Sequence, residues 1–357
     1  MSFKNFPMVP RVIYGRGSSN QVEEIVEPIR KNGYPIIYFA DHCFQDKPLA
    51  QHIPVKKNDK IVFIDTTEEP KTIDVDKIRD ELKSEFGKVS GIIGYGGGSV
   101  MDMTKAVSLM MNNEGSSADY QGWDLVQKEG VYHAGIPTLS GTGAEVSRTC
   151  VLTGPERKLG LNSDYTPFNQ VILDPNLTVG APKDQVFFTG MDCYIHSIES
   201  LNGTFLNAFS RSYGEKALEL CKKIFLEKDS WDEESDEDLM MASWHGGMSI
   251  AYSQVGVAHA LSYGLSYVLG LKHGIGNCIA FDQIEKYYPE GVKDFKRMIE
   301  KFEVEIPQNI CSNLSDEQMN KMVEVALGLT PLWENALGKN WNEKINEKTI
   351  KELYEKM

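Results

Sequence analysis

Four residues in the second half of the chain are of types that hold metal ions. Asp192 and His196 are four apart, and His259 and His273 follow. Residues four apart on a helix project from one face, so an aspartate and a histidine at that spacing can reach a common point. A lone histidine on an apolar helix is ordinarily a satisfied core residue. A carboxylate–histidine pair joined by two further histidines also suits a divalent ion. Spacing alone leaves both readings open.

A second stretch, Gly91 to Ala106, reads GIIGYGGGSVMDMTKA. An apolar strand through Ile92 and Ile93 turns at Gly96, Gly97, Gly98 and Ser99, then enters a helix carrying Asp102 and Lys105. A strand, a glycine turn and a helix N-terminus together form an anion site, because free N–H groups and the helix dipole face negative charge. A diphosphate is the natural guest. The competing reading is a tight turn that binds nothing. The stretch is neither G-x-G-x-x-G nor a P-loop.

The glycine turn is followed by Pro137-Thr-Leu-Ser-Gly-Thr-Gly-Ala-Glu145, then Asp192-x-x-x-His196, then His259 and His273. That order of motifs resembles the iron-containing (group III) alcohol dehydrogenase family, whose fold is shared with dehydroquinate synthase. The resemblance covers nearly the whole chain. It implies an α/β nucleotide-binding domain over 1–182 and an all-helical metal-binding domain over 183–357. It implies one divalent metal, zinc or iron, on Asp192, His196, His259 and His273, a donor set that does not choose between the two. NAD(P) is the implied cofactor. Its diphosphate would rest on Gly96, Gly97, Gly98 and Ser99, with Asp102 close by. Thr138, Leu139 and Thr142 would line the other side, and Lys158 would touch the ribose. Many members carry a histidine one turn after the third ligand as a proton relay. Here that position is Tyr263, whose phenol, with an ordinary pKa of about 10, is a poorer shuttle. His245 is read as structural.

Tyr120 to Leu125, Arg157 to Tyr165, Met248 to Gly256 and Ser262 to Gly270 resemble one branch of that family. Its members oxidise a primary alcohol of an eight-carbon acidic sugar of lipopolysaccharide, ahead of a pyridoxal-phosphate aminotransferase. A carboxylate on the substrate calls for a cation. Arg148, directly after Gly-Thr-Gly-Ala-Glu-Val-Ser, is expected to grip it with its planar fork. Arg157 is read as a solvated surface charge. Rival readings are a dehydroquinate synthase-like lyase, a binding protein without activity, and a dehydrogenase of small alcohols or polyols.

A chain of 357 residues exceeds one ordinary core, so two domains are expected. A net charge of −14 argues against nucleic acid or an anionic membrane as partner. The beginning lacks the layout of a signal peptide. The six cysteines form no C-x-x-C pair and read as reduced thiols. A cytoplasmic location is therefore expected, and a homodimer is expected besides.

Strands alternate with helices in the first half. Residues 1 to about 20 read as a short strand pair, with Gly15 to Asn20 as a turn in which Ser18 or Ser19 caps a helix. Residues 34–40, 60–65, 158–161 and 170–174 read as strands and 74–85 as a helix, giving a parallel sheet covered on both faces. Asp41, ending the second strand, suits either a ribose hydroxyl or a local cap. After Pro182 the pattern becomes helical, with helices expected over 187–201, 210–226, 236–268, 281–288 and 291–302. The acidic run 232–238 reads as a solvated loop leading into a helix.

Overall fold

Ile36–Asp41 and Gly91–Gly96 are apolar or small at nearly every position, a composition suited to strands buried on both faces. The computed structural model describes residues 8–30 and 33–357. In it these two segments are adjacent inner strands of a six-stranded parallel sheet. The strands are β1 (Val12–Tyr14), β2 (Ile36–Asp41), β3 (Lys60–Ile64), β4 (Gly91–Gly96), β5 (Gly122–Trp123), β6 (Tyr132–Pro137), β7 (Val151–Thr153), β8 (Lys158–Asn162) and β9 (Gln170–Leu173). The large sheet runs β1-β9-β6-β4-β2-β3, and a small one runs β5-β8-β7. Helices α1 (Val22–Val26), α2 (Pro48–Gln51), α3 (Thr72–Phe86) and α4 (Gly98–Asn112) accompany them. Val26, Ile36, Tyr38, Ile93, Ile136 and Ile172 belong to one apolar core.

Of the strand pair expected at the start, the described residues hold β1, which lies parallel to β9. The part of that stretch before residue 8 lies outside the described residues. The 15–20 turn does not present an anion site. Gly17 N and Ser19 N donate to the Asp174 carboxylate at 2.9 and 3.0 Å, so an internal anion already occupies them.

The chain folds into two compact units. Met1–Leu139 and Ala144–Val179 make up one, and Ser140–Gly143 and Gly180–Met357 the other. The boundary expected at 182/183 thus falls at 179/180, and four residues of the hydroxyl-rich loop go with the helices. Two glycines explain the second point. A Cβ at Gly141, where φ is +142°, would lie 1.9 Å from Thr189 O, and one at Gly143 would lie 2.4 Å from Gly247 Cα. Only bare backbone approaches the helices this closely.

The second unit comprises α5 (Lys183–Leu201), α6 (Ala208–Lys222), α7 (Glu233–Tyr252), α8 (Val257–Leu269), α9 (His273–Asp282), α10 (Pro289–Phe302), α11 (Asp316–Leu327), α12 (Thr330–Leu337) and α13 (Glu347–Tyr354). The helix expected over 236–268 is two helices, interrupted at residues 253–256. The helix expected over 281–288 instead begins at His273 and ends at Asp282. The acidic run forms the first turns of α7, where Asp232 accepts from Ser235 N as the N-cap, and acids favour the positive end of a helix.

Candidate functional site

Helix α5 is the spine of the metal centre. Asp192 and His196 share its buried face, and Glu199 continues the same stripe one turn on. His259 lies in the first turn of α8, and His273 opens α9. Gly274 lets the start of α9 approach α5, since a Cβ there would lie 2.8 Å from Phe188 O.

The four expected ligands converge. One potential donor atom from each lies within 4.8 Å of all the others. Asp192 Oδ1 is 3.5 Å from His196 Nε2, 3.3 Å from His259 Nε2 and 3.6 Å from His273 Nε2. Donors about 2.0–2.2 Å from one ion at tetrahedral angles stand about 3.3–3.6 Å apart, so the spacing fits a divalent cation. Asp192 Oδ2 is buried without a hydrogen-bond partner beside this cluster, as a core carboxylate serving stability alone would not be. The residues present therefore fit the metal.

The tautomer of His259 is fixed from behind. Its Nδ1 lies 2.6 Å from Glu199 Oε2, and a carboxylate only accepts, so in the neutral ring it is the Nε2 lone pair that faces the cluster. Asn277 Nδ2 donates to Asp192 Oδ1 at 2.6 Å and lies 3.0 Å from His259 Nε2. Burial opposes charge on His259, but Glu199 and Asp192 outweigh it and push the ring up to about 9. Burial dominates at His196 and pushes it down to about 3, with Asp192 pulling the other way. Burial would raise Asp192, but the surrounding imidazoles hold it below the usual carboxylate range. Tyr263, one turn after His259, is half-buried with its ring 5.9 Å from that of His273. His245 is not one of the four converging residues, and its ring lies 5.8 Å from that of Tyr213.

Sequence reasoning missed Glu199 and Asn277. The signal was available: Glu199 is seven residues after Asp192 on the same helix face, and Asn277 is four after His273.

In the α/β unit, the carboxyl ends of β2, β4 and β6 gather Asp41, Gly96 to Ser99, Thr138 and Leu139. Ala40 pairs with Tyr95, Gly96 with Pro137, and Thr138 N donates to Gly96 O at 3.0 Å. Ligands of open parallel sheets bind at this edge. Gly96 is required by the fold, because a Cβ there would lie 2.4 Å from Val100 Cγ2. Gly97 is not: its Cβ would make only a 3.5 Å contact with Leu139. Gly97 is the N-cap of α4 and offers no side-chain cap, so the first-turn N–H groups stay available to an anion. Asp41 accepts from Cys43 N at 2.9 Å and from Thr66 Oγ1 at 3.1 Å. It caps a local turn and stands at the ligand edge, a place that suits both of its expected readings.

Other expected cofactor contacts are placed differently. Asp102 Oδ2 accepts from Val151 N at 3.1 Å, and burial pushes this carboxyl up to about 7, against the pull of Lys105. Lys158, expected at a ribose, is 1% exposed and sits 3.2 Å from Glu69 Oε2. A buried ammonium needs a carboxylate, and Glu69 supplies it. Thr142 falls within Ser140–Gly143 and goes with the helices rather than with the glycine turn. Arg148, expected to grip a substrate carboxylate, already serves two acids. Its Nε donates to Asp164 at 2.7 Å and its Nη2 to Asp124. Two carboxylates on one guanidinium leave net negative charge, a poor seat for a third. Arg157 is exposed, as a surface charge would be, and its Nη2 also donates to Gln121 O at 3.0 Å.

The family model for iron-containing alcohol dehydrogenase matches residues 9–175, and the model for the C-terminal part of the Fe-containing alcohol dehydrogenase family matches 186–322. The chain belongs to the iron-containing alcohol dehydrogenase family. It is 31% identical to the sulfoacetaldehyde reductase of Bilophila wadsworthia (strain 3_1_6) over 283 residues, covering 77% of this chain and 72% of that one. A crystal structure of 1,3-propanediol oxidoreductase superposes with a TM-score of 0.82 at 20% identity, covering 99% of each chain. Sulfoacetaldehyde reductase from Bifidobacterium kashiwanohense, in complex with NAD+, gives 0.80 at 21% identity, covering 99% of this chain and 98% of that one. The last two likenesses concern the fold, a parallel α/β unit followed by a helical unit. The family places this chain among oxidoreductases of the alcohol dehydrogenase type, with a divalent metal and NAD as cofactors. Among the described residues no helix is long and apolar enough to cross a membrane.

Proposed function

We propose that this chain is a 3-deoxy-D-manno-octulosonate 8-oxidase. It would convert the C8 primary alcohol of that acidic sugar to an aldehyde. A pyridoxal-phosphate aminotransferase would then form the 8-amino sugar for lipopolysaccharide. The observation that carries the reading is a pairing. Residues 120–125 and 157–165, both bearing the resemblance to that branch, meet as β5 and β8, with Gly122 opposite Leu161 and Trp123 opposite Asn162.

When bound, the divalent ion would acidify a coordinated hydroxyl, and NAD would accept the hydride. The residues of this chain do the rest. Asp192, His196, His259 and His273 hold the ion, with Asn277 steadying the aspartate. Tyr263 offers a hydroxyl that can donate and accept a hydrogen bond at the edge of this cluster. The start of α4, opened by Gly97, faces the diphosphate. Asp41 meets the ribose 2′-hydroxyl and repels a 2′-phosphate, favouring NAD over NADP.

A second reading, an NAD-dependent dehydrogenase of a small primary alcohol or polyol, is favoured by the likeness to sulfoacetaldehyde reductase. Initial rates on the eight-carbon sugar acid and on 1,2-propanediol, with and without NAD+ and dioxygen, separate the two. A higher kcat/KM for the sugar acid is expected. A higher value for the diol would overturn the first reading in favour of the second.

A further inference from the structure

Glu199 lies behind the ligand cluster, fully buried, and both its oxygens are engaged. Oε2 accepts from Gly256 N at 2.7 Å and from His259 Nδ1 at 2.6 Å, while Oε1 accepts from Ala258 N at 2.6 Å. All three donors belong to the start of α8. A helix start carries N–H groups without intrahelical partners, and Gly256, the N-cap, has no side chain to offer them. A carboxylate from α5 therefore caps α8 and orients its imidazole through three hydrogen bonds. The surroundings are shaped for this. A Cβ at Gly256 would lie 2.6 Å from Tyr288 Oη and 3.3 Å from Glu199 Oε1. Just upstream, Asn335 Nδ2 donates to Gln254 O at 2.7 Å and to Val255 O at 3.2 Å, pinning the interruption between α7 and α8.

We propose that Glu199 is a positioning residue of the metal centre. It sets the tautomer and ring plane of His259 through the 2.6 Å contact to Nδ1. The inference rests on the four-ligand reading of Asp192, His196, His259 and His273. Glutamine can take the place of Glu199 sterically, but it turns one acceptor into a donor facing N–H groups and removes the charge. Carboxylates that orient ligating imidazoles change metal affinity by about 10–100-fold when replaced.

The test is a double-mutant cycle on the full chain, with cobalt(II) as the probe. Cobalt affinity is measured by competition with a chelator, and the visible bands report ligand geometry. Glu199→Gln is expected to weaken cobalt binding about 10–100-fold and to shift the bands, with the far-ultraviolet circular dichroism unchanged. In a His259→Ala background the same change is expected to cost less than about twofold further, because the two residues act as one unit. Equal loss in both backgrounds, or unchanged affinity and bands in the single variant, would overturn the proposal. Should Glu199→Gln fail to fold, Glu199→Asp is read instead, keeping the charge but withdrawing it from His259. A smaller loss with a shifted band supports the proposal, and parental values refute it. An unmutated chain that takes up no cobalt sinks the four-ligand reading itself, whatever Glu199 does.

Discussion

In the α/β unit the Lys105 ammonium is buried among oxygens, and in the helical unit the Asp192 carboxylate is buried among imidazoles. Lys105 Nζ donates to Ala144 O, Ser147 O and Thr149 O at 2.6, 2.9 and 3.0 Å, and Ser147 Oγ lies at 3.1 Å. Its three protons are all in use, and the ring of Phe168 lies 5.1 Å away. Asp192 Oδ2 and His196 Nδ1 have no such partners. A saturated buried charge fastens one part of a fold to another, here the 144–149 segment to α4. An unsaturated cluster of the same depth is a place made for something else.

Breaking the saturated site should give the largest effect. Lys105→Met leaves three buried carbonyls without their donor and should destabilise the α/β unit by about 3–5 kcal/mol in urea unfolding. Metal affinity should stay at the parental value. A destabilisation below about 1 kcal/mol would mean that the carbonyls find water and that saturation carries no weight here.

Emptying the unsaturated cluster comes next. With free metal at about one hundred times its dissociation constant, chelation should lower unfolding stability by about 2.7 kcal/mol. His196→Ala should show the chelated value at every metal concentration, with activity lost and the circular dichroism spectrum retained. Full metal occupancy in that variant would remove His196 from the ligand set.

Asp102 lies between the two cases, a carboxyl with one engaged oxygen and a raised pKa. Its folded value of about 7 exceeds the ordinary 3.8, so the folded chain keeps a proton that the unfolded chain has lost in that window. The stability this group contributes is complete below the lower value and disappears as pH rises to the upper one. Asp102→Asn should therefore gain on the parent between about pH 4 and about pH 7 and keep the full gain above. Parallel stability curves for the two chains would contradict the assignment.

The smallest effect belongs to Arg148→Ala. A guanidinium already shared by Asp124 and Asp164 near the surface contributes about 1 kcal/mol or less. Neutral and acidic substrates should slow alike. A selective loss on the acidic sugar would restore Arg148 as the carboxylate partner.

Residues with a repeating spacing and a strong chemical type were legible from the sequence. The Asp192–His196 pair, the glycine turn and the change from alternating elements to helices all carry a local period, and the structure keeps each. Residues whose roles depend on a distant partner were not. Lys158 reads as a ribose contact until β8 places it beside Glu69. Arg148 reads as an unattached fork until residues 122–124 and 162–165 come together. Glu199 reads as one more helix acid until α8 delivers three N–H groups to it. The interruption at 253–256 escaped notice because Ser-Gln-Val-Gly contains no proline, and Glu199 and Asn335 hold it from elsewhere in the chain.

The excursion of Ser140–Gly143 has a consequence for dissecting the molecule. The polypeptide passes between the two units at 139/140, 143/144 and 179/180, so no single cut separates them. A fragment beginning at Gly180 would lack the strip whose glycines cover the Thr189 carbonyl and the Gly247 backbone, and would present that bare groove to solvent. The two halves are laced by the chain itself, and neither can be inherited, expressed or exchanged as a cassette without a stitch from the other.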